Sequence, residues 1–303
     1  MFRTLSNIMR IGDLRKKILF TFAMLVVFRI GAHIPAPGVD ADMLNFAGEM
    51  SAFGFLNMFG GGALENFSIF ATGIMPYITA SIIVQLLRMD VVPKFAEWSK
   101  QGEAGRKKLA QVTRYGTIVI AFFQALAVSI GFNNIFPGLV PNPTVTTYLL
   151  IALTLTAGTT FLMWLGEQIT ANGIGNGISI LIFAGIVAGI PNGINQIYAT
   201  KIQDAGDALF LNLVIILLLV LAAIAITVGV IYVQQALRKI PVQYAKRLVA
   251  GKPRGGQSTH LPLKVNSAGV IPVIFASSLF MFPPMIAGFF GADDGVAGWI
   301  TRN

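Results

Sequence analysis

The stretch that decides the fold class is ALFLNLVIILLLVLAAIAITVGVIYV, which runs from Ala208 to Val233 without a charged residue. A helix needs about 20 mostly apolar residues to cross the hydrocarbon core of a bilayer. The run is continuous and does not alternate between apolar and polar residues, as the strands of a membrane barrel do. We therefore predict that this stretch forms a membrane-spanning helix.

Six other apolar stretches approach or reach spanning length. They are Ile18–Ile34, Phe67–Leu87, Tyr115–Gly131, Val145–Gly166, Ile174–Ile190 and Val265–Phe290. The composition agrees, since 55% of the 303 residues are apolar and only 12% are charged, about half the charged share of soluble domains. The sequence therefore predicts an all-α, polytopic membrane protein with seven transmembrane helices.

The basic residues are unevenly distributed among the connecting segments. The chain has 22 Lys and Arg against 13 Asp and Glu, a net charge of +9. If every span crosses, most of the basic residues fall on one side, in residues 1–17, 88–114 and 234–264. Basic loops stay in the cytoplasm, so we expect a cytoplasmic N-terminus.

The sequence gives no indication of enzymatic chemistry. Cysteine is absent, which excludes disulfides and thiol catalysis. No pair of carboxylates lies within a span, and His33 and His260 are far apart in the predicted topology. We expect no catalytic residue, metal or cofactor, and hence no enzyme.

The apolar segment FGFLNMFGGGALENF, Phe53–Phe67, is too short to span and is interrupted by Gly60, Gly61 and Gly62. Three glycines destabilise a helix and provide a hinge. A broken helix at membrane depth is tolerated only inside protein or beside a water-filled cavity. The alternative is an interfacial hairpin on the outer surface, which the local sequence alone favours.

Isoleucines recur at helical spacing in two spans. Ile74, Ile78 and Ile82 share one helix face, as do Ile178, Ile182 and Ile186. Such rows either line an apolar constriction that excludes water and ions or face lipid. Spacing alone favours lipid.

A few polar residues lie within or beside the spans. Thr79, Gln124 and Asn266 either join helices by hydrogen bonds or form a seam that opens. Arg29 lies inside the first span, where a charged residue is a candidate for function. Its position near the end of the helix favours the alternative, in which its side chain extends to the outer interface.

The segment Arg238–Lys264 is basic and contains no acidic residue. It is either a solvated determinant of topology or a docking surface for an acidic protein face or for RNA phosphates.

Five longer stretches resemble the SecY family, the pore subunit of the bacterial protein-translocation channel. They are FRIGAHIPAPG (Phe28–Gly38), NMFGGGALENFSIFATGIMPYITASIIVQLL (Asn57–Leu87), EAGRKKLAQVTRYGT (Glu103–Thr117), FLMWLGEQITANGIGNGISILIFAGIVAG (Phe161–Gly189) and QSTHLPLKVNSAGVIPVIFASS (Gln257–Ser278). The resemblance runs along essentially the whole chain.

The resemblance implies a clamshell of ten helices in two pseudo-symmetric halves around an hourglass pore. Residues 18–190 would form the N-terminal half, with a plug at 57–67, and 208–290 would begin the C-terminal half. Residues 1–17 and the loop 234–264 would be cytoplasmic, and 291–303 would lie outside. Seven spans are fewer than ten, so the last three helices would belong to a longer chain or a separate polypeptide.

The resemblance also assigns roles to individual residues. The pore ring would contain Ile74, Ile78, Ile178, Ile182 and Ile274. The plug would contain Asn57, Met58, Phe59, Gly60, Gly61, Gly62, Ala63 and Leu64. The lateral gate would contain Thr79, Gln124 and Asn266. Partner docking would involve Arg238, Lys239, Lys246, Arg247, Lys252 and Arg254.

The partners implied are small membrane subunits like SecE and SecG, and the SecA motor or the ribosome on the cytoplasmic face. Signal sequences, translocating polypeptides and membrane lipid would also contact the channel, which would lie in the bacterial plasma membrane. Two other functions remain open on the residues alone. One is a secondary transporter of small solutes, and the other is an insertase or scaffold without a pore.

Overall fold

The computed structural model describes residues 10–40, 57, 60–203, 209–242, 248–249, 252–253, 259–266, 269 and 276. The helices are α1 (Gly12–Gly31), α2 (Met75–Leu86), α3 (Pro93–Lys100), α4 (Glu103–Ile135), α5 (Val145–Asn172), α6 (Gly177–Tyr198) and α7 (Leu209–Gln235). Two π-helical turns, Leu87–Val91 and Ala199–Gln203, follow α2 and α6. The strands are β1 (Leu237–Val242), β2 (Leu248–Val249), β3 (Lys252–Pro253) and β4 (Thr259–Lys264).

The mostly helical, membrane-spanning architecture is confirmed. Within the described part of the chain, α4 to α7 are long and apolar enough to cross a membrane. A fifth span results if Met75–Met89 and Pro93–Lys100, which meet at 93°, form one bent span. Helix α1 covers most of the predicted first span. Because it carries several charged residues, it is not among the helices apolar enough to cross a membrane by themselves. The predicted seventh span, Val265–Phe290, lies almost entirely outside the described residues.

The second helix begins at Met75, so the prediction that the second span starts at Phe67 is wrong. Residues 61–74 form turns and one isolated bridge, in which Phe67 and Gly73 have positive φ angles of 39° and 60°. Pro76 then lies in the first helical turn, where its missing N–H would have had no intrahelical partner. The apolar residues before it are therefore buried loop and not membrane helix.

The third helix is longer than predicted. Helix α4 has 33 residues, about 50 Å at 1.5 Å per residue, whereas the hydrocarbon core is about 30 Å thick. The basic residues Arg106, Lys107, Lys108 and Arg114 therefore belong to the helix and not to a loop.

The basic segment Arg238–Lys264 contains strands, which the all-α prediction did not include. Strands β1 and β4 pair antiparallel, with Leu237 opposite Lys264 and Pro241 opposite His260. Strands β2 and β3 form a second antiparallel pair. Proline disrupts the interior of a helix and is tolerated in edge strands, which is consistent with Pro241 and Pro262 in this two-stranded ladder.

The chain divides into two compact units. The first contains α1 to α5 and α6 as far as Asn192, and the second contains the end of α6, α7 and the four strands. In the first unit, the turn segment 60–74 contributes to two apolar clusters. Leu64, Phe67 and Ala71 pack in a cluster with residues of α4 and α5, and Ala63, Phe70 and Ile74 pack in a cluster with residues of α1, α5 and α6.

Candidate functional site

The predicted plug is a compact, buried loop in its described part. Gly61 and Gly62 have φ angles of 67° and 82°, which glycine adopts without steric cost. The Asn57 side chain closes the loop, since its Nδ2 donates to Glu65 Oε2 at 3.2 Å and its Oδ1 accepts from Glu65 N at 3.1 Å. Ala63 and Leu64 are buried. Met58 and Phe59 lie outside the described residues.

The loop fits closely against α1 and α6. A Cβ added to Gly61 would lie 3.0 Å from Gly185 Cα on α6 and 3.6 Å from the Phe28 ring on α1. These two glycines therefore let the two backbones approach each other. The burial favours a segment seated inside protein over the interfacial hairpin that the local sequence favoured.

Arg29 also contacts this loop. Its Nη1 donates a 2.7 Å hydrogen bond to the carbonyl oxygen of Gly61, and the bond is partly buried. Arg29 therefore has a partner within the protein, in addition to its predicted position near the outer interface. Hydrophobicity and position in the span could not reveal this contact, because the acceptor is a backbone atom 32 residues away in the sequence.

The four described isoleucines of the predicted ring lie in one apolar cluster. Ile74 is 6% exposed, and Ile78, Ile178 and Ile182 are half-buried and pack against the same cluster, which includes Phe28, Phe70 and Leu181. A cavity of about 10 Å³ is lined by Phe28, Gly60, Gly73, Ile74, Leu162, Leu181 and Ile182. That volume is about the smallest that can hold one water molecule, and the cavity is lined only by apolar residues and glycine. Ile274 lies outside the described residues.

The residues after the loop are held firmly to α5. Thr72 Oγ1 and Thr159 Oγ1 are 2.7 Å apart, and Thr159 Oγ1 also donates to the carbonyl oxygen of Gly73 at 3.3 Å. A Cβ added to Gly158 would overlap the Ile69 carbonyl oxygen. Sequence reasoning missed this anchor. The only signal was a Gly-Thr pair within an apolar span, which fits many helix contacts.

Two of the three predicted gate residues make local hydrogen bonds. Thr79 is 6% exposed and donates to the Met75 carbonyl oxygen of its own helix at 3.1 Å. Gln124 on α4 is half-buried. Asn266 belongs to the second unit, where its Oδ1 accepts from Gly269 N at 3.0 Å. Thr79 and Asn266 therefore have hydrogen-bond partners close to them in the sequence.

The basic segment presents part of its charge on the paired strands. Arg238 and Lys239 are exposed on β1, opposite Leu263 and Pro262 of β4. Lys252 lies in β3. Lys246, Arg247 and Arg254 lie outside the described residues.

A salt bridge that the sequence did not indicate joins α4 to α5. Arg114 Nε and Nη2 donate to the two carboxylate oxygens of Glu167 at 2.9 and 2.7 Å. The Arg114 side chain is 48% exposed, so solvent screens the pair and its contribution to stability is small.

Comparisons with known proteins identify the family. The SecY family profile matches residues 68–302. "Protein translocase subunit SecY" of Halalkalibacterium halodurans is 74% identical over 303 residues, and the match covers 100% of this chain and 70% of the relative. The protein of the same description from Bacillus subtilis is 62% identical over 304 residues, with the same coverage.

Two solved channels share the fold. "The structure of a protein conducting channel" superposes with a TM-score of 0.62 at 20% identity, covering 95% of this chain and 59% of that one. "Sec61 in the Canine ribosome-channel complex from the endoplasmic reticulum" gives a TM-score of 0.61 at 20% identity, covering 95% and 60%. The chain thus spans about 60% of the length of these channels and 70% of its curated relatives.

Proposed function

This chain belongs to the SecY family of protein translocase subunits, and we propose that it forms the larger part of a protein-conducting channel. The channel moves unfolded polypeptides across the bacterial plasma membrane and releases apolar segments into lipid. The observation that carries the proposal is the buried loop 60–64, seated against the same apolar cluster that holds Ile74, Ile78, Ile178 and Ile182. The relatives' description supports this function and not a small-solute transporter.

The isoleucines and the loop act as two seals in series. A narrow apolar collar excludes water, and a hydrated ion crosses such a constriction poorly. Isoleucine side chains can move around a passing polypeptide and close again behind it. The loop containing Gly60, Gly61, Gly62, Ala63 and Leu64 is the plug, which fills the outer side of the collar at rest.

The lateral gate lets apolar segments leave the pore for lipid. Each buried CH₂ that a segment places in lipid contributes about 0.8 kcal/mol, so an apolar segment of spanning length partitions without further energy input. We assign Thr79, Gln124 and Asn266 to this gate. Thr79 donates its hydrogen bond within its own helix, which is compatible with helices that must separate.

The channel works with partners that supply energy and complete the pore. We assign the basic segment, with Arg238 and Lys239 exposed on β1, to docking of the SecA motor or the ribosome. In the sequence, the same segment also contains Lys246, Arg247, Lys252 and Arg254, which we assign to the same role. SecE-like and SecG-like subunits complete the membrane assembly. The charge asymmetry supports a cytoplasmic N-terminus, and the chain itself carries out no enzymatic step.

Reconstitution distinguishes this function from its alternative. The full-length subunit with its membrane partners is placed in liposomes with the motor, ATP and an unfolded secretory polypeptide. We expect motor-dependent protection of the polypeptide from added protease. Uptake of small solutes without any protected polypeptide would instead support the transporter.

A further inference from the structure

Arg29 is a cation within a predicted span, and its partner is a backbone carbonyl. Among the described residues, no carboxylate lies within ion-pair distance of its guanidinium. The contact that the structure shows is the 2.7 Å hydrogen bond from Nη1 to the Gly61 carbonyl oxygen. A charged residue inside a span is costly unless it has a partner or reaches water, so this acceptor has more effect here than at an exposed site.

The acceptor belongs to the segment that has to move. Gly61 lies against Gly185 and Phe28, and the carbonyl that Arg29 binds is that of the same residue. In contrast, Thr72 and Gly73 are fixed to Thr159 on α5. After Phe70 the chain is joined to α5 by the hydrogen bonds of Thr159, whereas the loop itself is joined to α1 by packing and by the charged hydrogen bond from Arg29.

The geometry points to Arg29 as a positioning residue that holds the plug in its closed seat. This inference rests on the proposed function, in which residues 60–64 seal the channel. When the plug leaves, the Arg29–Gly61 bond must break, so its free energy adds to the closed state only. Arg29 therefore sets how often the resting channel opens.

The size of the effect follows from the type of bond. Losing a hydrogen bond to a charged group changes an equilibrium by roughly tenfold to a hundredfold. Arg29→Gln should therefore raise the population with a displaced plug by about that factor. Arg29→Lys keeps the charge but not the planar guanidinium, so we expect an increase smaller than that of Arg29→Gln.

The absence of cysteine from the chain allows a direct assay. Ala63 is 0% exposed in the seated loop, so Ala63→Cys gives a single thiol on this chain that is shielded at rest. The full-length subunit, with any cysteine beyond residue 303 and in its partners replaced by serine, is assembled with those partners in liposomes. The rate of modification by a membrane-impermeant thiol reagent is measured together with resting ion conductance. Lys16→Gln is the matched control, since it removes an exposed cation from the same helix.

The expected result is faster labelling of the thiol introduced at position 63 and a higher resting conductance in Arg29→Gln, with Lys16→Gln unchanged. Equal labelling in Arg29→Gln and its parent would overturn the role of Arg29. If Arg29→Gln does not assemble, Arg29→Lys decides in the same way, because labelling no faster than the parent would overturn the inference.

Deletion of residues 57–65 separates this inference from the proposed function. If the deletion raises resting conductance while Arg29→Gln changes neither readout, the plug seals but Arg29 does not hold it. If the deletion leaves conductance unchanged, the proposed seal is wrong. In that case, the labelling rate of the Ala63→Cys thiol in the protein without the deletion decides by itself whether Arg29 holds the loop.

Discussion

Gly158→Ala should destabilise the first unit, because α5 has no room for a side chain at this position. A Cβ there would overlap the Ile69 carbonyl oxygen and lie 2.8 Å from its carbonyl carbon and 3.2 Å from Phe70 Cδ1. The nearest atoms belong to the backbone, so a change of rotamer cannot relieve the clash. The anchor of Thr72 and Gly73 to Thr159 is one residue away and would be displaced with it.

Two opposing effects determine how much Gly158→Ala changes the free energy of unfolding. Replacing glycine by alanine inside a helix stabilises it by about 0.5–1 kcal/mol. Overpacking a tight contact costs about 1–3 kcal/mol, and a backbone clash lies at the upper end. We therefore expect a net loss of about 2 kcal/mol in the free energy of unfolding.

Gly131→Ala on α4 is the matched control. It is the same substitution in a helix interior, but outside the chain neighbours and the backbone of the helix itself no atom lies within 4 Å of the added Cβ, so only the stabilising term remains. Both variants of the complex are titrated with denaturant in detergent micelles, and unfolding is followed by tryptophan fluorescence. If Gly158→Ala were as stable as Gly131→Ala, the close approach of Ile69 to α5 would be refuted.

The remaining predictions concern the seals and the docking surface. Ile78→Asn places a polar group in the collar and should raise resting ion conductance in planar bilayers; unchanged conductance would remove Ile78 from the ring. Thr159→Val removes the buried partner of Thr72 and should cost about 1–3 kcal/mol of unfolding free energy, whereas an unchanged midpoint would show that this bond does not anchor the loop. Charge reversal at Lys246 and Arg247 should weaken motor or ribosome binding and reduce its salt dependence, and unaltered affinity at low salt would exclude docking there.

The helical part of the fold was predictable because apolar runs of spanning length have few alternatives in a membrane. The apolar stretches predicted at Val145 and Ala208 begin within one residue of the observed starts of α5 and α7. The start of α2 was not predictable in this way. Residues 67–74 are as apolar as a span, but positive φ angles at Phe67 and Gly73 and tertiary contacts with α5 determine that they form turns.

The candidate site was less predictable from local sequence than the helices. Spacing places Ile74 and Ile78 on one face, but it does not say whether that face meets lipid or protein. In the structure, Ile74 belongs to an apolar cluster that joins residues from α1, α5 and α6, and Ile78, Ile178 and Ile182 pack against that cluster. The contact of Arg29 with a backbone carbonyl has no sequence signature.

The strands in the basic segment could not be predicted from the sequence for a different reason. Residues 237–242 and 259–264 pair across an intervening segment, and short strands with proline carry a weak periodic signal. Net charge indicates that such a segment is solvated and can bind an acidic partner, but it does not predict the fold of the segment.

The most direct test of the channel function uses one cysteine and an arrested polypeptide. Ile182 on α6 packs against the apolar cluster, so Ile182→Cys is the test variant. Leu153 on α5 is 59% exposed, so Leu153→Cys is the control away from the cluster. A translocating chain with a thiol-reactive probe is arrested in the full complex, and disulfide or thioether adducts are counted. We expect adducts at position 182 and few at 153. Equal adduct formation at both positions, or none at 182, would contradict a pore through the isoleucine cluster.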